Sequence, residues 1–545
     1  MFMDQKTIDA LDFQYVYDKI DCITPYGNIF KSRMHCYKPG EEEALSQQFL
    51  MLESFIPHIK NTSIRSGFNN ILSHFKDLRQ SIKRANDGFI LNDVEFFEIK
   101  SMLFFLRELS EFIDENNIPV YAETKIKPIE PLEKLLDPEN TKISSFYIYD
   151  SYSEELGKIR YKKREIDKLL KKEQKSIRDK IKEELEVDVR PDNTVIISKD
   201  KKEILDRIKE STQLNYVSET YLNVKFSIKA SDTIDELEKD LNLLRKKEEL
   251  EEMRIREILT KEIKKHQKEI YKNISSIGKL DLLIAKAKFA VDYNCIKPEI
   301  VKEHIIEIED GIHPKVAEML LKKNLKFTPI SISLKKGVTC ITGANMGGKT
   351  ITLKLVGLLS AMAQYGLFVT AKKMTLGLSE YIKSSIGDMQ STDSGLSTFG
   401  GEVKVVKEAI TRADERGIIL IDELARGTNP EEGYAISKAI VEYLKDKQAI
   451  TILTTHYDNV ADLEDVVHLQ VVGLSNLDIK KLKEEISTEE GFEIINKYMD
   501  YRLRKVDKDT PIPKDALNIA RIMGLDDEII SLAEKNLKRS TWKEC

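Results

Sequence analysis

The chain has 545 residues, of which 41% are hydrophobic and 33% charged, and its formal net charge at pH 7 is −6. This length exceeds what one hydrophobic core usually supports, so several domains are expected. The negative net charge excludes a uniformly basic nucleic-acid-binding protein, and any basic surface must be local. Because no apolar run is long enough to span a membrane and the first residues lack a secretory signal, a cytoplasmic protein without a membrane partner is predicted.

Residues 1–150 are predicted to form a helical core domain. Apolar residues recur in steps of three and four through this segment, which is the pattern of helices packed on one another. Thr24 precedes Pro25, and this pair predicts a helix whose N-terminus is capped by the threonine side chain. These apolar stripes indicate a packed core and carry no chemistry of their own.

Residues 151–275 are predicted to form two charged helical arms that pair as an antiparallel coiled coil, with a small tip of short strands and a helix. Residues 157–183 contain 12 Lys and Arg against 5 Asp and Glu. Apolar residues recur in steps of seven and four along the same stretch, as on a helix with an apolar seam. The basic run is either a solvated coiled-coil face or a surface that tracks phosphates, whose binding would weaken steeply with salt.

Residues 343–350 fit the phosphate-binding pattern G-x-x-x-x-G-K-[ST]. A short apolar strand is predicted before this loop and an apolar-periodic helix after it, so backbone N–H groups and the helix N-terminus are placed to bind phosphate. Lys349 is then expected to reach the β- and γ-phosphates, and the Thr350 hydroxyl to bind Mg²⁺. The residues expected to contact the nucleotide are Gly343, Ala344, Asn345, Met346, Gly347, Gly348, Lys349 and Thr350.

Two acids follow a second apolar strand, which is predicted over residues 417–421. Such a continuous apolar run is typical of a parallel strand buried on both faces. Asp422 is then placed to hold Mg²⁺ through water, and Glu423 to orient or deprotonate an attacking water. Burying two carboxylates for structural reasons alone would be costly, which favours a catalytic role.

A histidine and a serine complete the predicted site. His456 follows another apolar strand and is either a satisfied polar group or a γ-phosphate sensor, the latter being favoured at the carboxyl end of a sheet strand. Ser397 precedes a helix predicted over residues 401–413, whose free N–H groups form a second anion-binding end. One chain cannot easily bring two helix N-termini to one phosphate. A dimer in which Ser397 completes the site of the other chain is therefore predicted.

These segments together resemble the MutS family, which comprises ABC-type ATPases of DNA mismatch repair and recombination. The nucleotide loop is similar to the family's T-G-P-N-M-G-G-K-[ST], with Ala344 in place of the usual proline, and Phe327 is matched to the residue that stacks on adenine. Residues 351–367 and 427–433 are closer to the second bacterial branch, which lacks the mismatch-recognition domain and suppresses recombination. The other matching segments are 393–399 (signature), 422–428 (Walker B motif and D-loop) and 455–457 (switch histidine).

The resemblance implies a multidomain protein with α and α/β parts. Its domains would be a helical lever (1–150), clamp arms (151–275), an ABC-type ATPase domain (276–475) and a helical tail (476–545). The tail's two helices resemble the family's dimerising tail, and a DNA-reading helix-turn-helix is the less favoured interpretation because the second helix carries few basic residues. The tail is too short for the nuclease domain that ends the second branch, so no nuclease activity is expected.

Two hypotheses for the function follow. The favoured one is a homodimeric ATPase that uses ATP and Mg²⁺ and clamps double-stranded or branched DNA. In the alternative hypothesis, the same ATPase remodels a protein client, as is expected of MutS-like ATPases that accompany cobalamin-dependent aminomutases. A scaffold that binds nucleotide without turnover is disfavoured because Lys349, Asp422, Glu423 and His456 are all present. The dependence of DNA affinity on salt distinguishes a clamp from a protein remodeller.

Overall fold

The computed structural model describes residues 1–143, 145–229, 231–343, 348–387, 398–425, 428–474, 499–506, 517, 519–520 and 524–539. The chain divides into two compact units, one comprising Met1–Ser73, Phe112–Lys125 and Ser275–Cys545, and the other His74–Glu111 and Ile126–Ile274. Helices and mixed sheets build these units, which confirms the prediction of a multidomain protein with α and α/β parts.

Seventeen α-helices lie within the described ranges. In chain order they are α1 (Gln5–Ala10), α2 (Phe13–Lys19), α3 (Pro25–Ser32), α4 (Glu42–Lys60), α5 (Thr62–Ser73), α6 (Arg79–Asn86), α7 (Asp93–Glu115), α8 (Glu130–Leu136), α9 (Glu154–Leu185), α10 (Lys202–Glu210), α11 (Asp232–Lys265), α12 (Gln267–Asp292), α13 (Pro314–Leu321), α14 (Lys349–Gln364), α15 (Thr398–Thr411), α16 (Pro430–Leu444) and α17 (Asp527–Arg539). Among the described residues, every helix is too short or too polar to cross a lipid bilayer.

Thirteen strands lie within the same ranges and form three sheets. In chain order they are β1 (Thr194–Ser198), β2 (Leu214–Glu219), β3 (Asn223–Ile228), β4 (Glu299–Val301), β5 (Ile305–Gly311), β6 (Ile330–Lys335), β7 (Gly337–Thr342), β8 (Lys373–Gly377), β9 (Tyr381–Ser385), β10 (Gly417–Ile421), β11 (Ile450–Thr454), β12 (Val467–Gly473) and β13 (Asp500–Lys505).

A six-stranded sheet in the first unit carries the predicted nucleotide site. Its order is β13-β12-β7-β11-β10-β9, with antiparallel β13 at one edge and parallel neighbours elsewhere. Every residue of β7, β10 and β11 is buried, which explains their continuous apolar sequences. Alternate residues face opposite layers, since Ile341 packs in the cluster that contains the apolar side of α14, whereas Cys340 packs in the cluster that contains α16.

The remaining sheet of the first unit has the order β4-β8-β5-β6. Helix α3 of this unit begins where the sequence predicts. The Thr24 hydroxyl caps it by accepting a hydrogen bond from the Gly27 N–H at 2.8 Å. The same hydroxyl donates to the buried Asp281 carboxylate of α12 at 2.7 Å. Asp281 therefore ties the cap of α3 to a helix more than 250 residues away, a contact that no local pattern could predict.

In the second unit, α9 and α11 pack against each other in opposite directions. Arg160 near the start of α9 donates to Glu248 at 3.0 Å and to Glu252 at 2.8 Å, both in α11. Farther along α9, Leu170 shares a buried cluster with Leu241 of α11. Opposite charges flank this apolar seam, so the pair is held by burial and by ion pairing together.

The small sheet of the second unit has the order β1-β3-β2, and all its pairs are antiparallel. Strands β1 and β3 lie in the segment where the sequence predicts short strands at the tip, and α10 lies between them along the chain. The third, β2, is an edge strand in which only Leu214 is buried. Its side chains lack the alternation that reveals a half-buried strand, which is why sequence patterning missed it.

Candidate functional site

The described part of the nucleotide loop consists of Gly343, directly after β7, and Gly348, directly before α14. Gly343 leaves β7 with φ +131° and Gly348 enters α14 with φ +82°, conformations that favour glycine. The loop residues Ala344, Asn345, Met346 and Gly347 lie outside the described residues. Burial raises the pKa of the Cys340 thiol in β7 to about 12, so this cysteine is a core side chain and not a nucleophile.

Lys349 is the first residue of α14, and its side chain is 3% exposed. Its Nζ donates to the Gly343 carbonyl at 2.6 Å. The same Nζ lies 3.5 Å from Glu423 Oε1 and 3.5 Å from His456 Nδ1. The ammonium therefore lies between the loop, the acid after β10 and the histidine after β11.

Two threonine hydroxyls hold the Asp422 carboxylate. Thr350 Oγ1 donates to Oδ2 at 2.7 Å, and Thr454 Oγ1 donates to Oδ1 at 2.6 Å. The first hydroxyl belongs to α14 and the second to β11, so three different elements meet at this carboxylate. Because each oxygen accepts a hydrogen bond, the orientation of the Asp422 carboxylate is fixed.

Glu423 and His456 form the second contact of the site. His456 Nε2 lies 2.8 Å from Glu423 Oε1, and the two side chains are 39% and 12% exposed, respectively. Glu423 has φ +45°, an uncommon conformation for a residue other than glycine. This backbone conformation directs the carboxylate to Lys349 and His456 beyond the carboxyl ends of the strands. Residues with such uncommon backbone conformations are frequently found in active sites.

Helix α15, which begins at the end of the signature segment 393–399, also contacts the residues that follow β10. Glu402, in the first turns of α15, accepts a hydrogen bond from the Ala425 N–H at 3.2 Å. Ser397 lies outside the described residues, as do Arg426 and Gly427, and α15 begins at Thr398. The contribution of Ser397 to the site of another chain stays a prediction.

Phe327 lies apart from this cluster. It packs against the core of the first unit and lines a cavity of about 1330 Å³ together with Tyr293 and Glu318. Among the described residues, neither Lys349 nor Asp422 lines that cavity. The adenine-stacking role of Phe327 therefore stays a prediction that none of these contacts supports.

Two residues at the site escaped the sequence patterns. The sequence pattern identifies Thr454 only as part of the strand that precedes His456, although a polar residue at the end of a buried strand is itself a signal. Tyr501 of β13 lies beside the loop, because a Cβ placed on Gly348 would lie 3.1 Å from Tyr501 Cδ1. Burial raises the pKa of the Tyr501 phenol, and no local motif connects this tyrosine to the loop.

The parallel sheet, with acids following the carboxyl end of β10, has the arrangement in which open α/β domains bind their ligands. A family model described as MutS domain V matches residues 339–540. Endonuclease MutS2 of Ruminiclostridium cellulolyticum is 31% identical over 564 aligned residues, with 98% of this chain and 65% of the relative covered. Endonuclease MutS2 of Halothermothrix orenii is 29% identical over 476 residues, with 84% of this chain and 58% of the relative covered.

The chain belongs to the MutS family. The name MutS2 of these relatives agrees with the second branch that the sequence resemblance indicates. The chain spans 58% and 65% of the length of the two relatives described.

Proposed function

We propose that this protein is an Mg²⁺-dependent ATPase that hydrolyses ATP to ADP and phosphate and thereby controls its hold on double-stranded or branched DNA. The observation that carries the proposal is the meeting of Lys349, Thr350, Asp422, Glu423 and His456 at one edge of a parallel sheet. Open α/β sheets bind their ligands at the carboxyl ends of their strands, which is where these residues lie.

The residues of the loop fit a triphosphate. Gly343 and Gly348 allow the backbone to turn tightly, and the N-terminus of α14 presents N–H groups with partial positive charge. Lys349 adds a full positive charge that is held in place by the Gly343 carbonyl. ATP would therefore be held by this loop, with Lys349 directed to its terminal phosphates.

The donors beside the loop fit Mg²⁺, which prefers oxygen ligands in octahedral geometry. The described residues contain no group of three or more His, Cys, Asp or Glu side chains that could hold a metal by themselves. Thr350 and Asp422 would thus hold the ion together with oxygens of the nucleotide and of water. When bound, Mg²⁺ supplies positive charge that offsets the charge developing on the phosphate oxygens.

The protein's own contribution to hydrolysis is positioning. Glu423 would orient the attacking water and accept its proton on the carboxylate, which His456 holds through its Nε2 contact at 2.8 Å. His456 would also contact the γ-phosphate, and Lys349 would neutralise its charge. Lys349 lies on α14, and Glu423 and His456 follow β10 and β11 within two residues, so regular elements position these groups as preorganised catalysis requires.

A dimer completes the proposal. Two chains would face each other so that Ser397 of each, which precedes α15 in the sequence, reaches the nucleotide held by the other. The ATPase domain and the helical tail, including α17, would form the contact. Support comes from membership of the MutS family, whose proteins typically dimerise and bind DNA.

The basic side of α9 is the surface proposed to bind DNA. Residues 157–183 of this helix carry an excess of seven positive charges. Four of its lysines are exposed and make no ion pair with a described residue, so their charges are available to phosphates. They are Lys162, Lys172, Lys175 and Lys180.

The salt dependence of DNA binding tests this surface. Fluorescence anisotropy of a labelled branched duplex, measured over a range of salt, should give an affinity that falls steeply with salt. Replacing Lys172 and Lys175 by glutamine should weaken binding and reduce the slope of log K against log salt by about 1 for each lost phosphate contact.

The matched control replaces Lys246 and Lys247 of α11, which changes the net charge equally on a helix with more acidic than basic residues. This variant should keep the slope of the unmodified protein. An affinity of the unmodified protein that does not change with salt contradicts the DNA clamp and favours the hypothesis of a protein client.

A further inference from the structure

Thr454 connects the two acids of the proposed site. It is the last residue of β11, and its side chain is fully buried. Its hydroxyl lies 2.6 Å from Asp422 Oδ1 and 3.0 Å from the backbone nitrogen of Glu423. One side chain therefore contacts both the carboxylate proposed to hold Mg²⁺ and the backbone of the residue proposed to act on water.

The directions of these hydrogen bonds are determined by chemistry. A backbone N–H can only donate, so the Thr454 oxygen accepts from Glu423. Its single proton is then free to be donated to the Asp422 carboxylate, which can only accept when ionised. The Thr454 hydroxyl thus accepts one hydrogen bond and donates another. Bonds to an ionised group are also shorter and stronger than those between neutral groups, in agreement with the 2.6 Å distance.

The order of the sheet explains why the residue on β11 has this position. β11 lies between β7, which leads into the nucleotide loop, and β10, which ends at the two acids. Thr454 is opposite Ile341 in β7, while the neighbouring Leu453 is opposite Ile421 in β10. Thr454 therefore lies at the end of the strand that separates β7, before the loop, from β10, before the acids.

A second threonine in β11 shows that burial alone does not explain this arrangement. Thr451 is also fully buried, but its hydroxyl makes no hydrogen bond with a described residue. The two threonines share strand, burial and side-chain chemistry, and they differ in what the hydroxyl contacts. The contrast supplies an internal control for the hydroxyl of Thr454.

We infer that Thr454 is a positioning residue for ATP hydrolysis, which orients the Asp422 carboxylate and fixes the turn at Glu423. The inference rests on the proposed ATPase function and extends it to a residue outside the loop, the acids and the histidine. Thr350 holds Oδ2 of Asp422, and Thr454 holds Oδ1, so the carboxylate cannot rotate without breaking one of the two bonds. The N–H of Glu423, a residue at φ +45°, is shared between this hydroxyl at 3.0 Å and the Thr454 main-chain carbonyl at 3.2 Å, so the hydroxyl strengthens a contact that the backbone also makes.

The test compares Thr454→Val, Thr454→Ser and Thr451→Val in the full chain. Thr454→Val removes both hydrogen bonds and should lower kcat at least roughly tenfold, since bonds to charged groups typically contribute that much. It should also raise the Mg²⁺ concentration needed for half-maximal rate, which loss of packing alone would not do. Thr454→Ser restores the hydroxyl and should recover most of both, and Thr451→Val should match the unmodified protein.

Thermal unfolding of each variant shows whether it is folded, and Thr454→Ala replaces Thr454→Val if the valine variant does not fold. A folded Thr454→Val or Thr454→Ala protein with unchanged kcat and unchanged Mg²⁺ dependence overturns the inference. A serine variant as impaired as the valine variant overturns it as well. The proposed function fails separately, if the unmodified protein releases no phosphate from ATP.

Discussion

Replacing Lys349 by alanine is expected to abolish ATP hydrolysis, with kcat falling to the background of the assay. The lysine carries the only side-chain ammonium that the described contacts place among the Gly343 carbonyl, Glu423 and His456. Without it, the charge that would neutralise the terminal phosphates is lost, and removal of one such preorganised group typically costs 10²- to 10³-fold in rate. Phosphate release and binding of a fluorescent ATP analogue measure the effect on turnover and on affinity separately.

Lys354→Ala provides the matched control, because Lys354 lies on the same helix but contacts Asp12 at 3.4 Å, away from the loop. Both variants lose one positive charge from α14. The control should hydrolyse ATP at close to the rate of the unmodified protein. A Lys349→Ala protein that hydrolyses ATP at the same rate as Lys354→Ala would show that the site has been assigned to the wrong residues.

Replacing Lys100 by alanine is expected to destabilise the second unit by about 3–5 kcal/mol, the usual cost of breaking a buried ion pair. Lys100 is fully buried, and its Nζ donates to Asp137 Oδ1 at 3.0 Å, Tyr149 Oη at 2.9 Å and the Ser145 carbonyl at 3.1 Å. The variant leaves the buried Asp137 carboxylate without its nearest positive charge. It also leaves a cavity where the long side chain packs.

Urea unfolding followed by circular dichroism measures this loss, and hydrogen exchange assigns it to the second unit. Lys134→Ala is the control, since Lys134 is 81% exposed and contacts Glu130 only at 3.9 Å. Such a surface pair contributes about 0–1 kcal/mol, so this variant should unfold close to the unmodified protein. If both variants unfold at the same urea concentration, the buried ion pair does not stabilise the unit as described.

The parts of the fold that depend on local pattern could be predicted from the sequence. The apolar runs that become β7, β10 and β11 are continuous because these strands are buried on both faces, and such runs are readable without a structure. The start of α3 could be predicted for a similar reason, since the Thr24 side chain caps its own helix. Local chemistry was sufficient in each case.

The parts that depend on sheet order could not be predicted. In the chain, β11 follows β10, but in the sheet it lies between β7 and β10. Only this order brings Thr454 to Asp422 and allows one hydroxyl to contact both acids. Tyr501 has the same explanation, because β13 joins the sheet beyond β12 and brings a distant residue to Gly348. The motifs identified candidate residues, and the topology determined which of their neighbours contact them.

The most direct test of the proposed ATPase is the release of phosphate from ATP by the purified, folded chain with Mg²⁺, measured over a range of protein concentrations. We predict that phosphate is released and that the rate per chain rises with concentration until the dimer is fully formed, because each site would need Ser397 of a second chain. A folded protein that releases no phosphate at any concentration would contradict the account.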